Sequence, residues 1–289
     1  MHNVTSYLAT VYTTLLDMKN LVLILLLIVV NVSLLRGQIQ GFVYDKSTEL
    51  PLAYVNIGIL GKTAGIISDK DGSYQLEVTE DIMNDTIIFS IIGFYPTKMK
   101  VMDLINNNNV FLLKKTYELE EIVVTPSKTK EKILGNNRKG MIATSGRTDS
   151  KGIEVGTILN VKNKAFLKTL ILNMPIRDQY LRKEKSDSII YRLNIYKVID
   201  DENFENEQTS PIYIKCVKRG EKIEIDLSSY NLIVKGKTLI SIEFIEDGYQ
   251  DIYFRGNFIG EKSYVRTANH VKWEKLSIAL SMAVKADIF

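Results

Sequence analysis

Residues 69–78 read DKDGSYQLEV and combine a turn signal with an alternating strand. Asp71 and Gly72 supply the positive φ that a tight hairpin needs, because glycine adopts this conformation at little steric cost. The residues that follow alternate in polarity, with one set at Tyr74, Leu76 and Val78 and a polar set at Ser73, Gln75 and Glu77. A slip of one residue would bury the polar set, so the pattern fixes the register. The stretch predicts a β hairpin with one face in a hydrophobic core.

Alternation with a period of two recurs along most of the chain and indicates strands with one buried face. Residues 222–227 show it, as do residues 277–285 and, less regularly, residues 170–174. Residues 85–95, DTIIFSIIGFY, are apolar at both parities, which is typical of a central strand covered on both sides. We find no long amphipathic helix, and turn signals separate the short strands. The predicted fold class is therefore all-β, built from sandwiches or barrels.

The composition is that of a globular protein and narrows the possible functions. The chain has 289 residues and a net charge of +3, far from the basic excess that nucleic-acid binding requires. The single cysteine, Cys216, cannot form an internal disulfide, and its shared parity with Ile214 indicates a buried core position. The histidines are His2 and His270, too few for the usual zinc or Ser-His machinery. We expect no enzyme activity, no metal and no cofactor.

Residues 1–37 have the order of a secretory signal. Lys19 precedes an unbroken apolar run, LVLILLLIVV at residues 21–30, and polar or small residues follow it. The run is shorter than the roughly 20 residues of a bilayer-spanning helix. We therefore expect cleavage after Gly37 and an exported protein of the periplasm, outer membrane or cell surface. If the signal stays uncleaved, residues 21–35 are the expected membrane contact.

Residues 39–125 carry the most specific signal in the chain. Five motifs follow one another: GFVYD at 41–45, PLAYVNI at 51–57, GKT at 61–63, GIISDKDGSY at 65–74 and IIFSIIGFY at 87–95. This succession resembles the carboxypeptidase regulatory-like domain, a seven-stranded sandwich of the transthyretin or prealbumin type that is abundant in exported Bacteroidetes proteins. The resemblance implies an immunoglobulin-like or prealbumin-like domain at residues 38–126, with a structural or interaction role and no catalysis.

Metal-dependent alternatives for this domain are disfavoured by spacing. A calcium loop that started at Asp69 would place Glu80 at its twelfth position, but Tyr74 then holds the sixth position, where such loops need glycine. Metallocarboxypeptidases that carry the regulatory-like domain have a separate catalytic domain. The mature chain retains only His270 for such a centre, which needs at least two histidine ligands.

A second resemblance lies directly after this domain. The residues concerned are Leu119, Glu120, Glu121, Ile122, Val123, Val124 and Thr125. They resemble the segment of TonB-dependent outer-membrane transporters that engages TonB. A transporter barrel of about 22 strands cannot be built from the fewer than 170 residues that follow. The alternative is that the segment forms the last strand of the sandwich or an extended exit from it.

The remaining chain divides into a linker and a second domain. Residues 127–152 contain seven Lys or Arg against two acids and no strand alternation, which indicates a solvated basic linker or, alternatively, a segment attracted to an anionic surface. Residues 153–289 are predicted to form a jelly-roll-like β-sandwich of eight strands. The predicted strands are 157–161, 166–174, 189–198, 212–217, 222–227, 239–245, 252–254 and 277–285.

The second domain offers one candidate ligand site. Residues 244–273 contain seven aromatic residues, and aromatic faces stack on the C–H surfaces of sugars. A carbohydrate site here would use Trp273, His270, Arg266, Tyr264 and Tyr253. Core packing of the same aromatic residues is the alternative. Acidic residues such as Glu243 and Glu246 cannot be distinguished from surface charges, so no glycosidase pair is predicted.

These observations favour a non-catalytic exported structural or interaction protein of the bacterial cell envelope. Its expected partner is an envelope protein or a glycan, and nucleic acid is not expected. Carbohydrate binding through the C-terminal aromatic cluster and an accessory role in TonB-linked outer-membrane uptake stay open as alternatives.

Overall fold

A computed structural model describes residues 18–21, 37–63, 65–117, 129–140, 142–146, 151–173, 188–217, 222–246 and 252–289. For residues 142–146, 188, 189, 217, 252 and 253 it describes the backbone alone. Except for the helical residues 18–21, the predicted signal up to residue 36 lies outside these ranges, so cleavage after Gly37 stays a prediction. Within the described ranges, no helix has both the length and the apolar character needed to cross a bilayer.

The first domain is a sandwich of two sheets, which confirms the predicted architecture for this part of the chain. One sheet has the order β4-β1-β7 and the other β3-β2-β5-β6. Its described strands are β1 (Gly37–Asp45), β2 (Asn56–Ile59), β3 (Gly65–Ile67), β4 (Ser73–Val78), β5 (Thr86–Ser90), β6 (Thr97–Lys100) and β7 (Val110–Leu112). A 3-10 turn at Glu80–Ile82 and a short helix at Asp103–Asn106 complete it.

The core of the first domain lies between these two sheets. Phe89 on the central strand β5 is fully buried, and its ring packs edge-on against Tyr74 of β4 with 5.5 Å between ring centroids. Tyr74, Leu76 and Val78 all belong to this core, as the alternation predicted. Burial of Tyr74 raises the pKa of its hydroxyl to about 12, and this hydroxyl donates a hydrogen bond to the Asn108 carbonyl at 2.7 Å.

The turn at Gly72 differs from the expected hairpin. Gly72 has a φ of +81°, so the predicted left-handed conformation is present. The strands on either side, however, lie in different sheets: β3 pairs with β2, while β4 pairs with β1. The turn therefore carries the chain from one sheet to the other. Local alternation predicts a strand's buried face but does not identify its partner strand, which explains the difference.

The second domain is also built from strands, and a long bent strand organises it. Its described strands are β8 (Lys130–Gly135), β9 (Ile142–Gly146), β10 (Glu154–Asn173), β11 (Ser188–Val198), β12 (Phe204–Asn206), β13 (Ile212–Val217), β14 (Lys222–Asp226), β15 (Ile233–Phe244), β16 (Ile252–Asn257), β17 (Ser263–Arg266), β18 (Glu274–Lys275), β19 (Ala279–Leu280) and β20 (Met282–Ile288). A 3-10 turn spans Ser228–Tyr230. The chain is thus all-β in both domains.

Strand β10 runs for 20 residues where the sequence predicted two separate strands. Register shifts occur between Val161 and Lys164 against β15, and between Leu167 and Thr169 against β20. The first half of β10 pairs with β15 and β17, and the second half pairs with β14 and β20. One strand therefore belongs to two parts of the sheet, because a bulge bends it without ending it. Residues 162–165, which separate the two predicted strands, mark this bend.

The segment predicted as a linker, residues 127–152, contains two of these strands. β8 pairs with β20, and β9 pairs with β16. Residues 130–133 of β8 are exposed, and Glu131 accepts a hydrogen bond from Lys168 at 2.9 Å. Charged side chains are common on such an edge strand because they discourage pairing with other chains. The high charge that indicated a linker is therefore compatible with a strand.

The two domains contact each other through a cluster of apolar side chains. Tyr54 and Ile67 of the first domain pack on Ile245 of the second. The Tyr54 hydroxyl donates a hydrogen bond to Glu246 at 3.2 Å, and burial together with this carboxylate raises the pKa of Tyr54 to about 12. Tyr54 also has a left-handed φ of 58°, which is uncommon for a residue other than glycine. A specific contact thus joins the domains at this tyrosine.

A glycine makes room for a second contact between the domains. A Cβ atom at Gly58 of β2 would lie 1.9 Å from Nδ1 of His270. We expect Gly58→Ala to lower the free energy of unfolding by about 1–3 kcal/mol, because the imidazole has to move from its place between the domains. Urea unfolding checks this. The double variant Gly58→Ala/His270→Ala should recover most of the loss. An unchanged stability in the single variant would contradict the packing described here.

Candidate functional site

Four charged side chains lie in a row across neighbouring strands of the second domain. Arg192 of β11 is opposite Glu243 of β15, Glu243 is opposite Glu154 of β10, and Glu154 is opposite Arg266 of β17. All four are buried. We call these residues the charge row. Polar parity on a strand normally indicates a solvent-facing side, so the sequence did not reveal that this row is buried.

The charges in the row are paired with each other. Arg192 donates from Nε to Glu243 at 2.8 Å, and Arg266 donates from Nε to Glu154 at 2.7 Å. Burial alone would raise the pKa of Glu243, but Arg192 outweighs this effect and holds the pKa of that carboxyl below its ordinary value. The corresponding carboxylates hold the pKa of each arginine above its usual range, although burial opposes this. Arg192 and Glu243 are therefore both ionised at neutral pH.

Further hydrogen bonds extend the charge row into a network that reaches the first domain. The amide of Asn194 donates to Glu154 at 2.8 Å and to Glu243 at 2.9 Å. Ser241 also donates to Glu154. At the other end, Arg192 donates from Nη1 to the backbone carbonyl of Tyr54 at 2.7 Å. The network thus binds the carboxylates inside the protein and ties the second domain to the first.

The predicted carbohydrate residues fall into separate places. The guanidinium of Arg266 lies 4.5 Å from the ring centroid of Trp273, and Phe204 packs against both Trp273 and Tyr264. Tyr264 is buried and Trp273 is half-buried. These residues form an internal aromatic cluster in which the rings pack against one another. Carbohydrate binding by this cluster stays a prediction. For Tyr253 the structure describes only its backbone, which pairs with Ser145.

His270 lies apart from that cluster, at the contact between the domains. Its Nε2 is 3.0 Å from the carbonyl oxygen of Lys62. Burial lowers the pKa of His270 below 6.5, the Lys62 carbonyl opposes this, and the positive charge of Arg266 adds to the lowering. The folded chain therefore binds fewer protons here than the unfolded chain does, in the window from this lowered pKa up to 6.5.

This difference predicts a pH dependence of stability. We expect the free energy of unfolding to fall as the pH decreases through 6.5, because protonation of the unfolded imidazole then favours unfolding. Urea unfolding at about pH 7.5 and about pH 5, compared between wild type and His270→Gln, isolates this contribution. The variant should show a smaller decrease than the wild type. Equal decreases in both proteins would contradict the assignment.

An exposed group of aromatic residues lies on the first domain, where the sequence predicted no aromatic ligand site. Phe42 and Tyr44 of β1 and Phe111 of β7 lie on the outer side of the sheet β4-β1-β7. The ring centroids of Phe42 and Tyr44 are 6.1 Å apart, and those of Tyr44 and Phe111 are 5.4 Å apart with an angle of 25° between the planes. We call these three residues the aromatic face.

Exposure distinguishes the aromatic face from the internal cluster. Phe42 is 40% exposed and Phe111 is 45% exposed, while Tyr44 between them is half-buried. The parity of β1 contained the signal, because Ile39 and Val43 point into the core and Phe42 therefore points outward. Aromatic density along the chain points to residues 244–273 and does not reveal this alternation.

A cavity of about 560 Å³ opens at the edge of the first domain, beside strands β3 and β4. Its apolar lining comes from Ile57, Ile59, Ile66, Leu76 and Ile82. Lys62 and Asp81, whose charged atoms are 3.7 Å apart, also line it. Among the residues that the structure describes, no group of three or more His, Cys, Asp or Glu side chains is placed to hold a metal ion.

Two further sequence predictions concern reactivity and uptake. Cys216 is buried, as predicted, and burial raises the pKa of its thiol to about 12, which makes it unreactive at neutral pH. The TonB-like segment, Leu119 to Thr125, lies outside the described residues. Its resemblance therefore stays a prediction from sequence.

Comparison with known proteins gives the first domain its family. Residues 39–124 match the sequence model of the CarboxypepD_reg-like domain, which confirms the resemblance inferred from the motifs. The chain is 35% identical over 86 residues to the TonB-dependent receptor SusC of Bacteroides thetaiotaomicron, covering 30% of this chain and 8% of that protein. It is 36% identical over 104 residues to the TonB-dependent receptor P3 of Formosa agariphila, covering 36% of this chain and 10% of that protein. The chain thus spans a tenth or less of these relatives.

Proposed function

Because residues 39–124 form a carboxypeptidase regulatory-like domain, we propose that this chain is a non-catalytic interaction protein of the bacterial envelope. In this proposal the protein is exported by its N-terminal signal and resides in the periplasm or at the outer membrane. The first domain presents a binding surface, and the second domain holds it in a fixed orientation. The relatives are TonB-dependent receptors, which supports a proposed role in the context of outer-membrane uptake.

The observation that carries this proposal is the contrast between buried charge and exposed aromatic surface. Glu154 and Glu243 are each bound by an arginine inside the protein, so both are committed to structure. A general acid or base must instead reach a substrate. The aromatic rings of the first domain, by contrast, are exposed. Exposed apolar patches of this kind mark interaction sites.

Cell fractionation with an antibody against the chain tests the location. We expect the protein in the envelope fraction, with the N-terminal signal absent by intact-mass measurement. Recovery with a cytosolic marker would contradict the proposal. Any substrate turnover that copurifies with the chain through several columns would contradict its non-catalytic character.

A role in TonB-linked uptake is a second candidate, favoured by the relatives. Crosslinking in living cells, followed by mass spectrometry, tests whether the chain contacts TonB. In this candidate, Ile122→Asp/Val124→Asp abolishes the crosslink, because charge disrupts an extended apolar segment that pairs with a partner strand. Ile105→Asp is the matched control, since Ile105 is 57% exposed on the first domain. A crosslink that survives the double variant would remove this candidate.

A further inference from the structure

The aromatic face adjoins a strip of uncharged polar side chains on the same side of the sheet. Phe42 is opposite Ser73, and Gln40 is opposite Gln75. Outward positions of β1 continue from Phe42 to Gln40 and then Gln38, whose amides bond each other at 3.2 Å. The surface therefore passes from aromatic rings to amides and a hydroxyl within a few residues.

Formal charge is sparse on the strands of this side, and the carboxylate of Asp71, which accepts a hydrogen bond from Ser73, adjoins them at the turn. Among the outward-facing described residues of β1, β4 and β7, Glu77 carries the one charge, at the end remote from the rings. It is opposite Gln38, two rows of side chains beyond Phe42. The exposed Lys46 follows β1 directly, but a single adjoining lysine is not the basic cluster that attracts anionic lipid or phosphate. An uncharged ligand complements this surface.

From this combination, and resting on the proposed function, we propose that the aromatic face binds a neutral glycan. Sugar rings offer an apolar C–H side and a rim of hydroxyl groups. The exposed rings of Phe42 and Phe111 contact the C–H side. The amides of Gln40 and Gln75 exchange hydrogen bonds with the hydroxyl groups, since amides both donate and accept.

Among the described residues, those of the second domain leave the aromatic face uncovered. The contacts with the second domain come from other parts of the first domain, among them Tyr54, Lys62 and Thr63. The rings of β1 and β7 retain their exposure although the second domain is present. A glycan can thus reach this surface without separating the domains.

Affinity electrophoresis of the full chain through gels that contain single neutral polysaccharides tests the proposal. An α-glucan, a β-glucan, a mannan and a galactan serve as probes, and an acidic polysaccharide serves as comparison. We expect retardation by at least one neutral probe and none by the acidic one. The double variant Phe42→Ala/Phe111→Ala should weaken that binding roughly tenfold or more, because two stacking contacts are lost.

Matched variants show whether the loss belongs to this surface. Phe258→Ala should bind as the wild type does, because Phe258 is 80% exposed but lies in the second domain. Phe42→Tyr should also retain binding, because it keeps an aromatic ring at that position. Circular dichroism should show that all variants are folded.

Three outcomes would overturn the proposal. The first is that no neutral polysaccharide retards the wild type. The second is retardation that the double variant leaves unchanged, and the third is a loss caused by Trp273→Phe while the double variant binds normally, which would transfer binding to the C-terminal cluster. None of these outcomes bears on envelope location or catalysis, which fractionation and turnover assays test separately.

Discussion

Replacing Arg192 by methionine should lower the free energy of unfolding by about 3–5 kcal/mol, because it leaves the buried carboxylate of Glu243 without its cationic partner. Arg192 is 1% exposed, and it also donates to the carbonyl of Tyr54 in the first domain. The substitution therefore weakens both the interior of the second domain and its contact with the first. Urea unfolding at neutral pH, followed by circular dichroism, measures the change.

Two comparisons give this prediction its control. Lys222→Met removes a partner from an exposed pair, Lys222 with Glu224, and should change stability by about 1 kcal/mol or less because water screens exposed charges. The double variant Arg192→Met/Glu243→Gln should regain part of the loss, since it removes the unpaired charge. Equal effects of Arg192→Met and Lys222→Met would show that the charge row is not buried in solution.

The second large effect is expected in the core of the first domain. Phe89→Ala should destabilise this domain by about 3–5 kcal/mol, because it removes a fully buried ring and leaves a cavity between the two sheets. The second domain has a separate core and contains Trp273, the chain's single tryptophan. Tryptophan fluorescence consequently reports on the second domain, and circular dichroism reports on both.

We expect the two signals to separate in the Phe89→Ala variant. Circular dichroism should show an early transition, and Trp273 fluorescence should change at higher urea. Phe111→Ala is the matched control and should stay within about 1 kcal/mol of wild type, because this ring is exposed on the same domain. Coincident transitions in Phe89→Ala would show that the interdomain contacts couple the two cores into one unfolding unit.

The first domain could be predicted well because its signals are local. The outward and inward positions of β4 follow from alternation, and the left-handed Gly72 follows from its place in a turn. The apolar stretch around Phe89 predicted a central strand, and β5 is an inner strand of its sheet. Which sheet β3 and β4 join, before and after Gly72, depends instead on contacts between distant residues. The alternation of neighbouring residues does not contain that information.

The second domain was less predictable because distant packing determines it. Arg192 and Asn194 alternate with Tyr191 and Leu193, which reads as a strand with a solvent-facing side. The structure buries both sides, because the first domain and residues near Trp273 cover the polar one. Only the neighbouring strands bring Glu243 and Glu154 against the arginines, so the sequence could not identify the charge row.

The same reason explains why the sequence and the structure point to different groups of aromatic residues. Aromatic density around Trp273 reflected residues that pack on one another, whereas the exposed rings come from two strands about 70 residues apart in the chain, β1 and β7. Phe42 and Tyr44 were visible as outward positions, but their neighbour Phe111 became apparent only through the parallel pairing of these strands.

The pairing of β20 has a consequence for biogenesis. Residues 282–288 complete the second domain by joining β10 and β8, whose residues were synthesised more than 100 positions earlier. Contacts between such distant residues form slowly, because a long loop must close first. We therefore expect the docking of β20 between β10 and β8 to be a late step in the folding of the second domain.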